Sequence, residues 1–148
     1  FFVWTGTEAD LKDFENYLNS LTDGVKITLN FSTDKVDFLD TTIYKLPSLE
    51  ADVLQTRVFF KPTDTHQLLD KHSFHPKHTS KGVLKSQLLR FKRISSCVDD
   101  YNNACSILFE ALRKRNYSKS LLRKMKRDIW LDNQDLHPKD KTRPIRLS

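Results

Sequence analysis

Apolar and polar residues alternate along much of the first 60 positions. Every second residue from Val25 to Phe31 is apolar and the residues between them are polar, which predicts a half-buried strand. Aromatic and β-branched residues predict three more strands, over residues 1–4, 36–44 and 54–60. The first 60 residues are therefore expected to be mainly β structure.

One helix interrupts this β region. Apolar residues recur every three or four positions from Thr7 to Leu21, between the first two predicted strands. Thr7 and Asp10 have the spacing of a capping box, which predicts that the helix begins there. The core residues expected to join this helix to the sheet are Leu29, Phe31 and Phe38.

Helical periodicity dominates residues 80–130, in three segments. The first opens at Ser80, the second near Val98, and the third after Ser118, whose hydroxyl can cap it. Asn116 is predicted to end the second helix in a left-handed conformation, which Asn tolerates. The residues expected inside are Val83, Leu84, Leu88, Phe91, Tyr101, Cys105, Leu108, Leu112, Leu121, Leu122, Met125 and Ile129. The order β-α-β-β-β followed by three helices predicts an α+β fold.

The two halves of the chain carry opposite net charge. Residues 1–60 contain 5 Lys/Arg and 10 Asp/Glu, whereas residues 61–148 contain 20 and 9, which gives the net charge of +6. A basic half of this size favours a polyanionic partner, because each Lys or Arg near a phosphate releases a condensed counterion. Nucleic acid is the first candidate and an anionic membrane surface the second. A single Lys is more simply explained as a solvated side chain, but the whole cluster is not.

Three histidines suggest a metal site that the rest of the sequence does not support. His72, His75 and His78 recur every three residues, and zinc accepts imidazole ligands. Pro76 interrupts the helix that would align them, and no Cys or carboxylate is placed to complete the set. A basic loop whose imidazoles and Lys77 approach phosphate, or a purely structural loop, explains them better.

No other residues suggest a catalytic centre. Asp37 and Asp40 lie an odd number of positions apart, so on a continuous strand they would point to opposite faces and could not share a metal ion. Cys97 and Cys105 follow no metal-ligand spacing and are expected as small apolar residues on or near one helix, in a reducing compartment. The sequence has no glycine-rich phosphate loop and no Ser-His-Asp or Cys-His arrangement.

The sequence predicts neither a membrane span nor a signal peptide. No apolar run approaches the roughly 18 residues that suggest a transmembrane helix. The chain begins at Phe1, with no basic segment before an apolar stretch. We expect an intracellular, nuclear protein without a membrane partner, present here as a fragment that opens within a strand.

Several short segments occur in a fixed order along roughly residues 1–130. They are Phe1–Trp4, the helix Thr7–Leu21, Val36–Asp40, Phe60–Thr65, Ser73–His78, Ser86-Gln87 with Arg90 and Arg93-Ile94, and Arg115–Tyr117. Each is weak alone, but in combination they resemble the region after the catalytic motif in reverse transcriptases of Penelope-like retroelements and their animal relatives. In that family an aspartate pair of the Tyr-x-Asp-Asp type lies just before the segment corresponding to Phe1–Trp4.

The resemblance implies three parts. Residues 1–62 would be the C-terminal part of a palm-like sheet, with the strands around Phe38–Tyr44 near the primer-gripping hairpin. Residues 63–132 would be a helical thumb or connector, described in similar animal proteins as a helix-turn-helix domain, and residues 133–148 a flexible tail or linker. The parent enzyme would use Mg²⁺, whereas no cofactor is expected in this chain.

The leading hypothesis is a nucleic-acid-binding C-terminal fragment of an RNA-directed DNA polymerase, which grips the primer–template backbone and is not catalytic alone. Its partners would be an RNA/DNA or DNA duplex and the missing upstream palm and fingers. The alternatives are a domesticated helix-turn-helix DNA-binding protein without polymerase activity and a scaffold with no nucleic-acid role. The predicted backbone-binding residues are His75, Lys77, His78, Lys81, Lys85, Arg90, Lys92, Arg93, Arg113, Lys114, Arg115, Lys119, Arg123, Lys124, Lys126 and Arg127.

Overall fold

A computed structural model describes residues 2–21, 24–46, 53–64 and 68–132. The elements are α1 (Glu8–Ser20), β1 (Lys35–Phe38), β2 (Thr41–Leu46), β3 (Val53–Val58), α2 (Lys77–Ile94), α3 (Val98–Arg113) and α4 (Lys119–Asp132). The three strands form one antiparallel sheet in the order β1-β2-β3, so the predicted α+β class is confirmed. The palm and thumb assignments and the three-part division remain predictions. The expected strand residue Phe1 and the expected tail 133–148 lie outside the described residues.

The N-terminus of α1 is capped as predicted. Thr7 Oγ1 accepts a hydrogen bond from the Asp10 N–H at 3.2 Å, and the Thr7 N–H donates to Asp10 Oδ2 at 3.0 Å. These two bonds form a capping box, and hydrogen bonds from the Thr7 hydroxyl and N–H lower the pKa of the Asp10 carboxyl. Local sequence therefore fixes the start of this helix.

The strand predicted over residues 1–4 is wrong for the described residues 2–4. The Trp4 ring stacks on Phe14 of α1 with centroids 5.7 Å apart, and Phe2 meets Phe14 edge-on at 6.3 Å. The Trp4 indole N–H also donates to the Thr7 carbonyl at 3.0 Å. Because no described strand pairs with this segment, aromatic packing on α1 determines its position.

The strand predicted over residues 25–31 is also wrong. The Asn19 side chain accepts from the Ile27 N–H at 2.6 Å and donates to the Ile27 carbonyl at 2.8 Å. Glu15 Oε1 accepts from the Leu29 N–H at 3.1 Å. Side chains of α1 thus satisfy backbone groups that a neighbouring strand would satisfy in a sheet. Alternation indicates two faces but says nothing about whether a pairing partner exists.

The single strand predicted over residues 36–44 is a hairpin. Phe38 pairs with Thr41, and the two residues between them form the turn. Leu39 has a φ of 56°, a conformation that two-residue hairpin turns require and that leucine rarely adopts.

Phe38 is 50% exposed and Phe31 43% exposed, so the prediction that they are core residues is wrong; Leu29 is half-buried.

The sheet is joined to the helices through β2 and β3. The Thr56 N–H donates to Ser96 Oγ, and the Ser96 N–H donates to the Thr56 carbonyl, both at 2.9 Å. The Tyr44 hydroxyl donates to Asp100 Oδ2 at 2.6 Å, in the first turn of α3. Val58 is buried in the same core as the helices. It is the last residue of β3, which ends two residues earlier than predicted.

The apolar stripes of the three C-terminal helices meet as predicted. Buried members of the predicted set are Leu84, Leu88, Phe91, Tyr101, Cys105, Leu108, Leu112, Leu122 and Ile129. The first of these helices begins at Lys77, with Pro76 as N-cap, and the predicted start at Ser80 is wrong because Ser80 is buried inside the helix. Asn116 has a φ of 67°, which confirms the left-handed stop. Ser118 Oγ accepts from the Leu121 N–H at 3.4 Å, the predicted cap of α4.

Both cysteines are free thiols at helical positions. Cys97 is the N-cap of α3, where its sulfur accepts from the Asp100 N–H, and Cys105 is fully buried within α3. Burial raises the pKa of the Cys105 thiol to about 11. Among the described residues, no helix combines the length and the apolar character that a bilayer crossing requires.

Phe38→Ala should lower the free energy of unfolding by less than about 1 kcal/mol, because the ring is half exposed. Phe91→Ala, which removes a buried ring, should cost about 3–5 kcal/mol. Urea denaturation of both variants checks the difference. A cost for Phe38→Ala equal to that for Phe91→Ala would contradict the exposed position of Phe38.

The stability of the fold should fall as the pH rises above about 10. Burial, followed by the hydrogen bond to Asp100, raises the pKa of Tyr44 above its ordinary value of 10.0. The folded state therefore holds this proton more tightly than the unfolded state, and its contribution is present below pH 10 and lost above it. Tyr44→Phe should cost about 1–2 kcal/mol at pH 7 and flatten the alkaline decline measured by urea denaturation. Tyr17→Phe, at an exposed position, is the control, and an unaltered alkaline decline in Tyr44→Phe would contradict the assignment.

Candidate nucleic-acid interface

Helix α4 presents a basic stripe to solvent. Lys119, Arg123 and Arg127 follow one another at four-residue intervals, so they lie on one side of the helix, and Lys124 is beside them. All four side chains are exposed, whereas Leu122 and Ile129 of the same helix are buried. We call Lys119, Arg123, Lys124 and Arg127 the α4 stripe. The first turn of α4 holds no acidic residue, so nothing local neutralises the start of this stripe.

The turn before α4 extends this positive charge. Arg113 and Lys114 are exposed and Arg115 is half-buried. Lys114 is 3.3 Å from Glu110 Oε1, but both side chains are about three-quarters exposed and the pair is weak. The left-handed Asn116 reverses the chain within three residues of Arg113. The geometry therefore places the predicted residues 113–115 next to the start of the α4 stripe.

A loop over residues 68–76, which we call the His loop, is attached to this turn. The Lys71 N–H donates to the Arg115 carbonyl at 3.1 Å, and Asn116 Nδ2 donates to Asp70 Oδ2 at 3.1 Å. The Lys71 ammonium also lies 5.8 Å from the centre of the Tyr117 ring. These contacts are not apparent from the sequence. The only local signal is Asp70 itself, because Asp side chains accept from the N–H two residues on in Asx turns, and Asp70 Oδ1 does accept from the His72 N–H at 2.8 Å.

The predicted His75 and His78 lie in and just after the His loop, and both are exposed. The His75 ring nitrogen Nδ1 is 3.3 Å from Ser73 Oγ. The backbone of Lys77 is described as the first residue of α2, and its side chain lies outside the described part. The attachment of the loop to Arg115 and Asn116 brings these residues to the end of the helical unit where α3 turns into α4.

The predicted residues of α2 do not form one surface. Lys81, Lys85 and Arg93 are exposed. Arg90 Nε donates to Asp40 Oδ2 at 2.8 Å, so this guanidinium is paired with the β1–β2 turn. The Thr42 hydroxyl donates to Asp37 Oδ1 at 2.5 Å, so Asp37 and Asp40 have different partners.

Lys92 lies inside the fold rather than at the interface. It is 1% exposed, and its ammonium donates to the carbonyls of Ile129 at 3.4 Å and Trp130 at 3.2 Å. The same ammonium lies 4.8 Å from the centre of the Trp130 ring. Burial lowers the pKa of Lys92. We leave Lys92 out of the interface, because its ammonium is buried against the last turn of α4 and does not face solvent.

Lys126 is also engaged within the fold. Its ammonium donates to Asn102 Oδ1 of α3 at 2.7 Å and lies 5.4 Å from the centre of the Tyr101 ring. The side chain is half-buried. Lys126 therefore fixes α4 on α3, in contrast to the α4 stripe, whose members point to solvent.

Across residues 2–21, 24–46, 53–64 and 68–132, no three His, Cys, Asp or Glu side chains come close enough to hold a metal ion together. His72, His75 and His78 are no exception.

Lys92→Met should destabilise the fold by about 1–3 kcal/mol, because it removes the buried ammonium and its hydrogen bonds to the Ile129 and Trp130 carbonyls. Lys85→Met, at an exposed position of the same helix, should change stability by less than about 0.5 kcal/mol. Thermal and urea denaturation measure both. Equal, small effects would mean that Lys92 does not hold the end of α4.

Comparison with known proteins gives one match. Residues 67–127 match the family model of the animal helix-turn-helix domain. The matched segment contains all of the His loop, all of α2 and α3, and α4 as far as Arg127. Neither the curated proteins nor the solved structures gave a match. The match supports the helix-turn-helix assignment of the helical half and, through it, nucleic-acid binding.

Proposed function

We propose that the helical half binds the sugar–phosphate backbone of a nucleic-acid duplex through the α4 stripe and Arg113–Arg115. The proposal rests on the exposure of the α4 stripe and on its lack of anionic partners in the described part of the chain. In the described part of the chain, none of its four cations has an anionic partner, and all four face solvent on one helix. Each such cation can replace a condensed counterion on a duplex, which makes association favourable at low salt.

Backbone contacts of this kind position a protein without reading sequence. An α-helix fits the major groove of B-form DNA, so α4 is also the helix that a sequence-reading domain would insert. The stripe consists of Lys and Arg, which neutralise phosphates and can also bind guanine edges, so its composition suits either mode. We propose binding with little base specificity, the mode that a grip on a primer–template backbone requires.

The resemblance in the sequence extends this proposal to a parent protein. The domain would be the thumb or connector of a nuclear Penelope-like reverse transcriptase, and it would hold the primer–template while Mg²⁺ and upstream aspartates perform nucleotide transfer. The chain itself contains no Tyr-x-Asp-Asp sequence, so we propose no polymerase activity for it alone. A domesticated DNA-binding protein would share the same helical domain, and an intact aspartate pair in the upstream gene sequence would favour the polymerase.

Charge reversal of the α4 stripe tests the binding mode. Lys119→Glu, Arg123→Glu and Arg127→Glu together should weaken binding on unrelated duplexes alike and make the log–log salt slope shallower by about 2.7, at about 0.9 per lost phosphate contact. The fold should survive, because the three positions are exposed and an acidic residue at the start of α4 suits the helix dipole. Fluorescence anisotropy at several salt concentrations measures affinity and slope.

The control variant carries Lys12→Glu, Lys26→Glu and Lys35→Glu, three exposed positions in the acidic half with the same change in net charge. It should bind with nearly the wild-type slope. If both triple variants lost affinity equally, net charge rather than the α4 stripe would govern binding. If one duplex sequence lost far more affinity than the others, the domain would read bases.

A further inference from the structure

Phe74 is the most exposed large apolar side chain described, at 111% of its reference area. It lies in the His loop, between Ser73 and His75, and has no ring partner among the described aromatic contacts. A fully exposed ring loses the free energy that its burial would provide, about 1.5–3 kcal/mol. No described residue packs on this ring, so we looked for a ligand that would.

The loop that carries Phe74 is held in place. Ser73 Oγ and the Ser73 N–H both donate to the Asp70 carbonyl, at 2.7 and 3.2 Å. Asp70 in turn accepts from Asn116, and Lys71 bonds to the Arg115 carbonyl. Pro76 follows with its fixed φ of −52° as the cap of α2. The ring is therefore presented from a fixed turn rather than from an unattached segment.

The surroundings of the ring are basic. Lys71, His72 and His75 lie within three residues of Phe74, which places their α-carbons within about 11 Å of its own. The Lys71–Arg115 bond adds the start of the proposed interface at the base of the loop. An exposed aromatic ring beside the Lys71 ammonium and two imidazoles is a combination that can bind an unpaired nucleotide, with the base on the ring and the phosphate on the ammonium and imidazole groups.

We propose that Phe74 stacks on an unpaired nucleobase where a single strand leaves the duplex held by the α4 stripe. This inference rests on the proposed function and names its substrate more closely, as a duplex with a single-stranded extension. Every base has a π-face, so the contact adds affinity without adding sequence preference. A wholly paired duplex would leave the ring unused.

The test compares a blunt duplex with the same duplex carrying a six-nucleotide overhang. Wild type should bind the overhang substrate roughly 5- to 150-fold more tightly, the range that one stacked base provides. Phe74→Ala should abolish this preference and leave the affinity and salt slope on the blunt duplex unchanged. Phe74→Trp should retain the preference, and its added indole fluorescence should be quenched by the overhang substrate and not by the blunt one.

Tyr17→Ala is the matched control, since Tyr17 is an exposed aromatic residue (59%) on α1, among acidic side chains. It should keep the wild-type preference for the overhang. Salt-dependent binding of wild type to both duplexes with no preference, and no quenching in Phe74→Trp, would overturn the stacking proposal and leave the proposed function intact. Absence of salt-dependent binding to the blunt duplex would overturn the proposed function itself.

Discussion

The Trp130 ring of α4 contacts both of the other C-terminal helices. The buried ammonium of Lys92 from α2 lies 4.8 Å from the centre of the ring, and Tyr101 of α3 stacks on the ring with centroids 5.5 Å apart. A desolvated cation over an indole is among the stronger forms of this contact, and the two α4 carbonyls that Lys92 also binds give its charge polar partners. This arrangement fixes the rotation of α4 about its own axis. Its polar side then faces solvent, and the α4 stripe is presented as a continuous surface.

The basic residues of this molecule fall into two groups, one that stabilises the fold and one that faces solvent. Arg90 is paired with Asp40, and Lys92 and Lys126 are directed into the helical unit. These cations have partners and contribute to structure. The cations of the α4 stripe, on the helix furthest along the chain, have none in the described part and carry the proposed binding.

The sequence predicts the helical half well because each helix has its own apolar stripe and local stop signals, as at Asn116. The sequence does not predict those parts of the structure that depend on contacts with residues elsewhere in the chain. Residues 25–31 alternate like a strand, but the side chains of Asn19 and Glu15 take the backbone groups that a strand would need. The hairpin turn was missed because Leu39 gives no turn signal, unlike the Asn-Gly pairs that favour such turns. The burial of Lys92 could not be read locally either, since its acceptors are 37 and 38 residues away.

The core of the helices extends beyond both ends of the segment that matches the family model. Val58 belongs to the core of the helices, and the Phe60 ring meets Phe91 edge-on at 5.6 Å. Ile129 and Trp130 complete the other side, beyond the last residue of the family match. A segment excised at 67 and 127 would expose Phe91 and deprive Lys92 of its acceptors. A protein that carries only the matched segment therefore needs other residues to cover Phe91 and to take the places of Val58 and Trp130.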